Sequence, residues 1–187
     1  FQFNGWGSKY PAELDNQITS NLSKQQAYGA HKVTPINFVL EGGSIESDGK
    51  GTLLTTKQCL LNKNRNPEYN ENKISKLLTE KLGAKNILWL EHGDLVGDDT
   101  DAHIDTLARF APNNLIIYQG CQDPNDEHFP GLLAMKNQLS RTLKLIKEQR
   151  VTMKKLARAG IKSKFDVLNV EKEYNKGKKK FKRSDIR

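Results

Sequence analysis

Apolar positions in the first 120 residues fall in short runs separated by turn residues. Asn37-Phe38-Val39-Leu40 ends at Glu41-Gly42-Gly43, the pattern of a strand closing in a turn. Gly51-Thr52-Leu53-Leu54-Thr55-Thr56 follows the turn pair Asp48-Gly49, so residues 37–56 are expected to form a hairpin. Cys59-Leu60-Leu61 reads as a third short strand. Ile74, Leu77, Leu78 and Leu82 recur at helical spacing, and Gly83 stands where a helix C-terminus expects a glycine. Asn86 to Leu90 and Asn114 to Tyr118 are two further apolar strands. Strand, strand, helix, strand is the repeating order of an α/β fold.

The pattern changes after residue 130. Leu132, Met135, Leu139, Leu143, Ile146, Met153 and Leu156 form one apolar stripe with Lys and Arg around it, which predicts an amphipathic helix. Ala159-Gly160 breaks it, and Ser163 followed by Asp166 starts a second helix that runs to about Tyr174. Residues 176–183 carry six Lys or Arg in eight positions and are expected to be solvated.

Charge divides the chain at the same place. Residues 136–187 hold 18 Lys and Arg against 5 Asp and Glu, while the preceding 135 hold 12 against 17. The overall +8 therefore belongs to the tail and does not make the whole chain a nucleic-acid binder. The expected organisation is an α/β domain over residues 1–139 and a basic helical tail over residues 140–187. No run approaches eighteen apolar residues, so no transmembrane helix is expected, and the chain is read as cytoplasmic.

Two cysteines far apart, Cys59 and Cys121, exclude a disulfide scaffold or a zinc ribbon. Cys59, between a polar turn and two leucines, reads as a buried structural thiol. Cys121 lies in the more open Gly120-Cys121-Gln122-Asp123-Pro124 and is the better substitute nucleophile. The densest chemistry lies in Asp98-Asp99-Thr100-Asp101-Ala102-His103-Ile104-Asp105. If residues 103–107 are extended, His103 and Asp105 share one side, an imidazole beside a carboxylate suited to proton transfer near a cation. His92, Asp94 and His103 match no metal-ligand spacing, so no metal is expected. Glu41 places a carboxylate at the end of an apolar run, where Gly42-Gly43 lets a ligand approach the backbone.

Five strings occur in order: Phe3-Asn4-Gly5-Trp6-Gly7 with Lys9-Tyr10; Leu40-Glu41-Gly42-Gly43-Ser44-Ile45; Asp48 to Thr56; Cys59-Leu60-Leu61-Asn62 with Arg65-Asn66-Pro67; and Asp98 to Asp105. Together they resemble the agmatine deiminases, relatives of the bacterial-type peptidyl-arginine deiminases, over residues 1–139. The resemblance implies a partial α/β-propeller of pentein-like ββαβ units. It also implies metal-free, cofactor-free hydrolysis of agmatine to N-carbamoylputrescine and ammonia, a step of putrescine biosynthesis. By the resemblance, Glu41 and Asp105 bind the guanidinium and His103 is the general acid/base, with Ala102 standing where the family usually has glycine.

The family's Gly-rich nucleophilic cysteine motif, and an N-terminal stretch ahead of Phe1, have no counterpart in this sequence. A truncated chain with little activity of its own is therefore expected. Residues 150–180 resemble the helical hairpin of membrane-fusion adaptor proteins. The alternative expectation is a non-enzymatic interaction protein whose tail, residues 140–187, binds a helical partner or an anionic surface. Self-association into a homo-oligomer is a further expectation.

Overall fold

The computed structural model describes residues 1–112 and 115–142. Its centre is a three-stranded sheet in the order β1 (Ile45–Ser47), β2 (Thr52–Thr56), β3 (Asn86–Leu90). β1 runs antiparallel to β2, and β3 runs parallel to β2 with Leu53 opposite Ile87 and Leu54 opposite Leu88. A parallel neighbour needs a long crossover, and the helix α4 (Glu71–Leu82) provides it. The order strand, strand, helix, strand is therefore observed once in full.

Why β2 tolerates three threonines follows from its hydrogen bonds. All five of its residues are buried. Thr55 Oγ1 donates to the Ser44 carbonyl at 2.7 Å, and Thr56 Oγ1 donates to the Ala102 carbonyl at 2.7 Å. Buried hydroxyls with partners cost little, and these two tie the strand to the two loops that form the site.

The alternation of the sheet sends side chains to two cores. Leu53, Ile87 and Trp89 face Phe38, Cys59, Leu60, Ile74 and Leu78. Leu54, Leu88 and Leu90 face Ile104, Leu107, Leu132, Met135 and Leu139. α4 is delimited as its sequence dictates: the Asn70 side chain accepts from Lys73 N at 3.0 Å, and Gly83 closes it at φ 69. The apolar stripe after residue 130 begins a helix, α6, over residues 129–142, with Leu132, Met135 and Leu139 buried. Its later positions, the second helix, the basic run and the adaptor-like segment lie outside the described residues.

A second, smaller sheet pairs β4 (Ala108–Ala111) antiparallel with β5 (Leu115–Tyr118). Glu46 of β1 ties it to the first: Oε2 accepts from Arg109 Nε at 2.8 Å and Oε1 from Phe110 N at 2.9 Å. Residues 1–140 form one compact unit.

Several sequence expectations need correction. The hairpin exists, but its first strand is Ile45–Ser47 and not residues 37–40. Val39 makes only a single bridge to Gln2, because the Asn66 side-chain amide takes both of its backbone groups at 2.9 Å. Cys59 and Leu60 belong to a helical turn, α3 (Lys57–Leu60), since Thr56 Oγ1 accepts from Cys59 N and caps a turn instead of extending the strand. Residues 104–107 form a helical turn, α5 (Ile104–Leu107), and not an extended segment. One helix had no expectation at all: α2 (Glu13–Lys24), whose Leu14, Ile18 and Leu22 stay exposed. No helix among the described residues is long and apolar enough to cross a membrane.

Candidate functional site

Glu41 enters the site from a tight turn. Its carbonyl accepts from Ser44 N at 3.0 Å and from Ser44 Oγ at 2.6 Å, closing the short turn Gly42–Ser44 ahead of β1. The backbone therefore aims the carboxylate inward, where Glu41 is 4% exposed. Oε2 accepts from Arg65 Nε at 3.1 Å and Nη2 at 2.9 Å, and lies 2.5 Å from His103 Nε2. Burial works to raise the Glu41 carboxyl. The hydrogen bonds from His103 and Arg65 outweigh it and hold the group below the ordinary carboxylate range. An ionised carboxylate only accepts, so the short contact places the proton on His103 Nε2. With that proton placed there, Nδ1 is the ring nitrogen left for chemistry.

His103 is delivered by a loop that Asp98 organises. Asp98 accepts from Thr100 N at 2.9 Å, Thr100 Oγ1 at 2.5 Å and Ala102 N at 2.7 Å. That wrapping carries Asp101 and Ala102 through left-handed backbone at φ 60 each. Aspartate tolerates such a conformation and alanine does so reluctantly, so a glycine would suit the backbone at position 102 better. Asp105, on the first turn of α5, is exposed and makes no hydrogen bond or ion pair among the described residues.

Gly43 brings these groups together. A methyl there would lie 2.6 Å from His103 Nδ1 and 2.7 Å from Asp105 Oδ2, so both side chains rest on its bare Cα. The requirement is steric, because those distances are far below van der Waals contact. Glu41 at Nε2 and Asp105 beside Nδ1 thus occupy the two ends of one imidazole. Glu41 has a single acceptor left, since Oε1 is buried without a hydrogen-bond partner.

Arg65 is the site residue that sequence reasoning left without a role. Its side chain is 1% exposed; besides Glu41 it engages Asp101 Oδ2 at 2.7 Å and the Thr100 carbonyl at 3.0 Å. The sequence signal was only Arg-Asn-Pro after a polar turn, which is indistinguishable from an exposed loop.

Cys59 is buried, with its sulfur within 4.8 Å of donor atoms of Glu41 and His103. Burial pushes its thiol up to about 12 despite the nearby Arg65, so it is protonated at neutral pH and a poor nucleophile. Glu41, Cys59 and His103 are a cluster of metal-ligating types, but a divalent ion there would face the Arg65 guanidinium and a thiol that resists ionisation. This donor set fits a metal badly. His92 and Asp94 are exposed and outside the cluster. Cys121 is half-buried against the other core, its Sγ 3.5 Å from the Asp123 carbonyl.

Comparison with known proteins gives this arrangement a family. The model of the Porphyromonas-type peptidyl-arginine deiminases matches residues 1–182, a span that runs past the charge switch. The chain belongs to that family. A Legionella pneumophila protein named "Putative agmatine deiminase" is 43% identical over 151 residues, covering 76% of this chain and 42% of the relative. Among solved structures, a Campylobacter jejuni agmatine deiminase variant with substrate bound superposes with a TM-score of 0.72 at 47% identity, covering 76% of this chain and 42% of that one. The Enterococcus faecalis agmatine deiminase gives 0.65 at 29% identity, covering 74% and 38%. The chain spans about two fifths of the length of the curated relatives it matches.

Proposed function

We propose that these residues form the carboxylate–histidine half of an agmatine deiminase site, which turns agmatine and water into N-carbamoylputrescine and ammonia. The observation that carries the reading is the pair of His103 Nδ1 and the unpartnered Asp105 carboxylate on Gly43, with His103 Nε2 fixed by Glu41. A planar guanidinium presents paired N–H donors that match a carboxylate, so Asp105 would hold it beside Nδ1, with Glu41 Oε1 as a second acceptor.

The chemistry divides between groups present here and one that must be brought to them. A thiolate attacks the guanidinium carbon, the imidazolium gives its Nδ1 proton to the departing amine, and ammonia leaves a thiouronium. The neutral imidazole then takes a proton from water, whose oxygen attacks the same carbon; the carbon–sulfur bond breaks, the new hydroxyl gives its proton to solvent as the carbonyl forms, and thiolate and imidazolium are restored. Cys59 is held protonated, and Cys121 packs on a different core. The thiolate therefore comes from another polypeptide segment. The ββαβ unit of β1, β2, α4 and β3, followed by β4, β5 and α6, supports reading the described residues as one blade and the start of another in a propeller.

The test is ammonia release from agmatine by the purified chain, alongside agmatine binding to wild type and Asp105→Asn. Expected are trace turnover and binding weakened about tenfold or more by the variant, the scale of a lost charge-assisted pair. Robust turnover abolished by Cys59→Ser or Cys121→Ser alone would defeat the missing-thiolate reading, and binding indifferent to Asp105→Asn would defeat the site.

The 18 Lys and Arg in residues 136–187 favour a second role, salt-dependent attachment of the tail to anionic surfaces. Binding to anionic vesicles that survives about half-molar salt undiminished, where the Debye length is only several ångströms, would count against it.

A further inference from the structure

Arg65 is the most buried cation among the described residues, and all three of its nitrogens donate, in four hydrogen bonds to three partners from two chain segments. Nε and Nη2 hold Glu41 Oε2; Nη1 holds Asp101; Nη2 also holds the Thr100 carbonyl. The residue after it, Asn66, holds the backbone of Val39 two positions before Glu41. Arg65 and Asn66 therefore grip the approach to Glu41 by its backbone and its carboxylate together.

The grip extends to the short N-terminal turn α1 (Gly5–Ser8) and the residues just after it. Lys9 Nζ reaches Asp101 Oδ1 at 2.8 Å and the Asp99 carbonyl at 2.6 Å, and Tyr10 OH donates to Asp99 at 2.9 Å. Gly7 packs so closely that a methyl on it would lie 3.1 Å from Asp101 Oδ2 and 3.2 Å from Arg65 Nη1. A planar fork fixes the direction of two carboxylates at once, where an ammonium holds them only as a compact point charge on a flexible stem. We propose that Arg65 is a positioning residue for His103. It keeps Glu41 ionised and oriented so that the imidazole proton stays on Nε2 and Nδ1 stays turned to Asp105, and it couples that state to the Asp98–Ala102 loop.

The ring proton itself gives the test. In the full chain with ¹⁵N-labelled histidine, His103→Gln assigns the His103 ring among the four histidines. Wild type is expected to show an Nε2-protonated ring with slow exchange of that proton, consistent with a side chain only 6% exposed. Arg65→Met should speed ring-proton exchange about tenfold or more and mix the tautomers, on the scale of losing a charge-assisted hydrogen bond. Backbone exchange at Leu54 and Leu60 should change far less. Arg65→Lys should recover part of the protection, since charge returns without the fork. Arg109→Met, which severs the other carboxylate–arginine clasp at Glu46, should leave the ring unchanged.

An unchanged ring in Arg65→Met overturns the proposal, and so does an equal effect of Arg109→Met. If Arg65→Met does not fold, Asp101→Asn removes one partner of the fork and should give a smaller change in the same direction. No change there is equally fatal. No substrate is needed, so this outcome is separate from the fate of the deiminase reading.

Discussion

The two sheets differ in how completely they are covered. β2 is buried at every residue between two apolar cores, whereas β5 leaves Leu115 58% and Ile117 68% exposed while Ile116 packs inward. The groups that must not move are tied to threonines of the closed sheet: Glu41 through its hydrogen bond with Ser44, which Thr55 holds, and His103 through the preceding Ala102 carbonyl, which Thr56 holds. Asp105, the carboxylate left free, sits one turn before β4 of the open sheet. Rigidity and availability come from different sheets. Burial supplies the first, and incomplete cover leaves room for the second.

The largest test of that contrast is truncation on each side. Leu54 is fully buried, and Leu54→Ala should cost about 2–5 kcal/mol in urea unfolding. Ile117→Ala, at the exposed face, should stay within about 0.5 kcal/mol of wild type and reduce binding of a hydrophobic dye. An Ile117→Ala cost comparable to that of Leu54→Ala, growing with protein concentration, would show that a second chain covers the open sheet.

The thiols sharpen the same contrast. Cys59 has a folded pKa near 12 against an ordinary 9.0, so its contribution is intact below about pH 9 and is lost as pH rises toward 12. Three units correspond to about 4 kcal/mol at the alkaline limit, so Cys59→Ala should flatten the alkaline limb of the stability curve. At neutral pH iodoacetamide should modify Cys121 and spare Cys59. Prompt labelling of Cys59 would mean that the closed core opens.

Glu46 joins the two sheets and separates their energetics. It is 8% exposed and accepts from Arg109 Nε and from Phe110 N. Glu46→Ala leaves the Phe110 amide without its acceptor, at a cost of about 1–3 kcal/mol. The loss should register as faster amide exchange in β4 and β5 with β2 unaffected. Equal acceleration in both sheets would show that they open as one unit.

Legibility in the sequence followed how local the cause was. Ile74, Leu78 and Gly83 identified α4, and Asn86 to Leu90 identified β3, because period and punctuation are local. Residues 37–40 misled, since the Asn66 amide that satisfies Val39 lies 27 positions away. The extended reading of residues 103–107 failed because it treated His103 and Asp105 as neighbours on a strand; Gly43, distant in sequence, is what unites them. Arg65 was invisible as a site residue because its meaning resides in Glu41 and Asp101. α2 drew no expectation: Leu14, Ile18 and Leu22 fall at helical spacing, but they bury no face, so the stripe is too weakly apolar to stand out.

The smallest expected effect lies where the closed region hands over to the open one. Ala102 holds φ 60, which costs an L-residue about 1–2 kcal/mol and a glycine almost nothing. Ala102→Gly relieves that strain, yet Ala102 is 3% exposed and its methyl belongs to the core with Leu54 and Ile104. Removing a buried methyl forfeits about 0.8 kcal/mol, and glycine adds about 0.4–1 kcal/mol of unfolded-state entropy. The opposing contributions nearly cancel, so the urea midpoint should move by less than about 1 kcal/mol equivalent, with His103 ring exchange unchanged. A gain well beyond that would mean the Ala102 methyl is not effectively packed. An equally large loss would mean the backbone carries no strain there and that the Ala102 methyl contributes more packing than its size suggests.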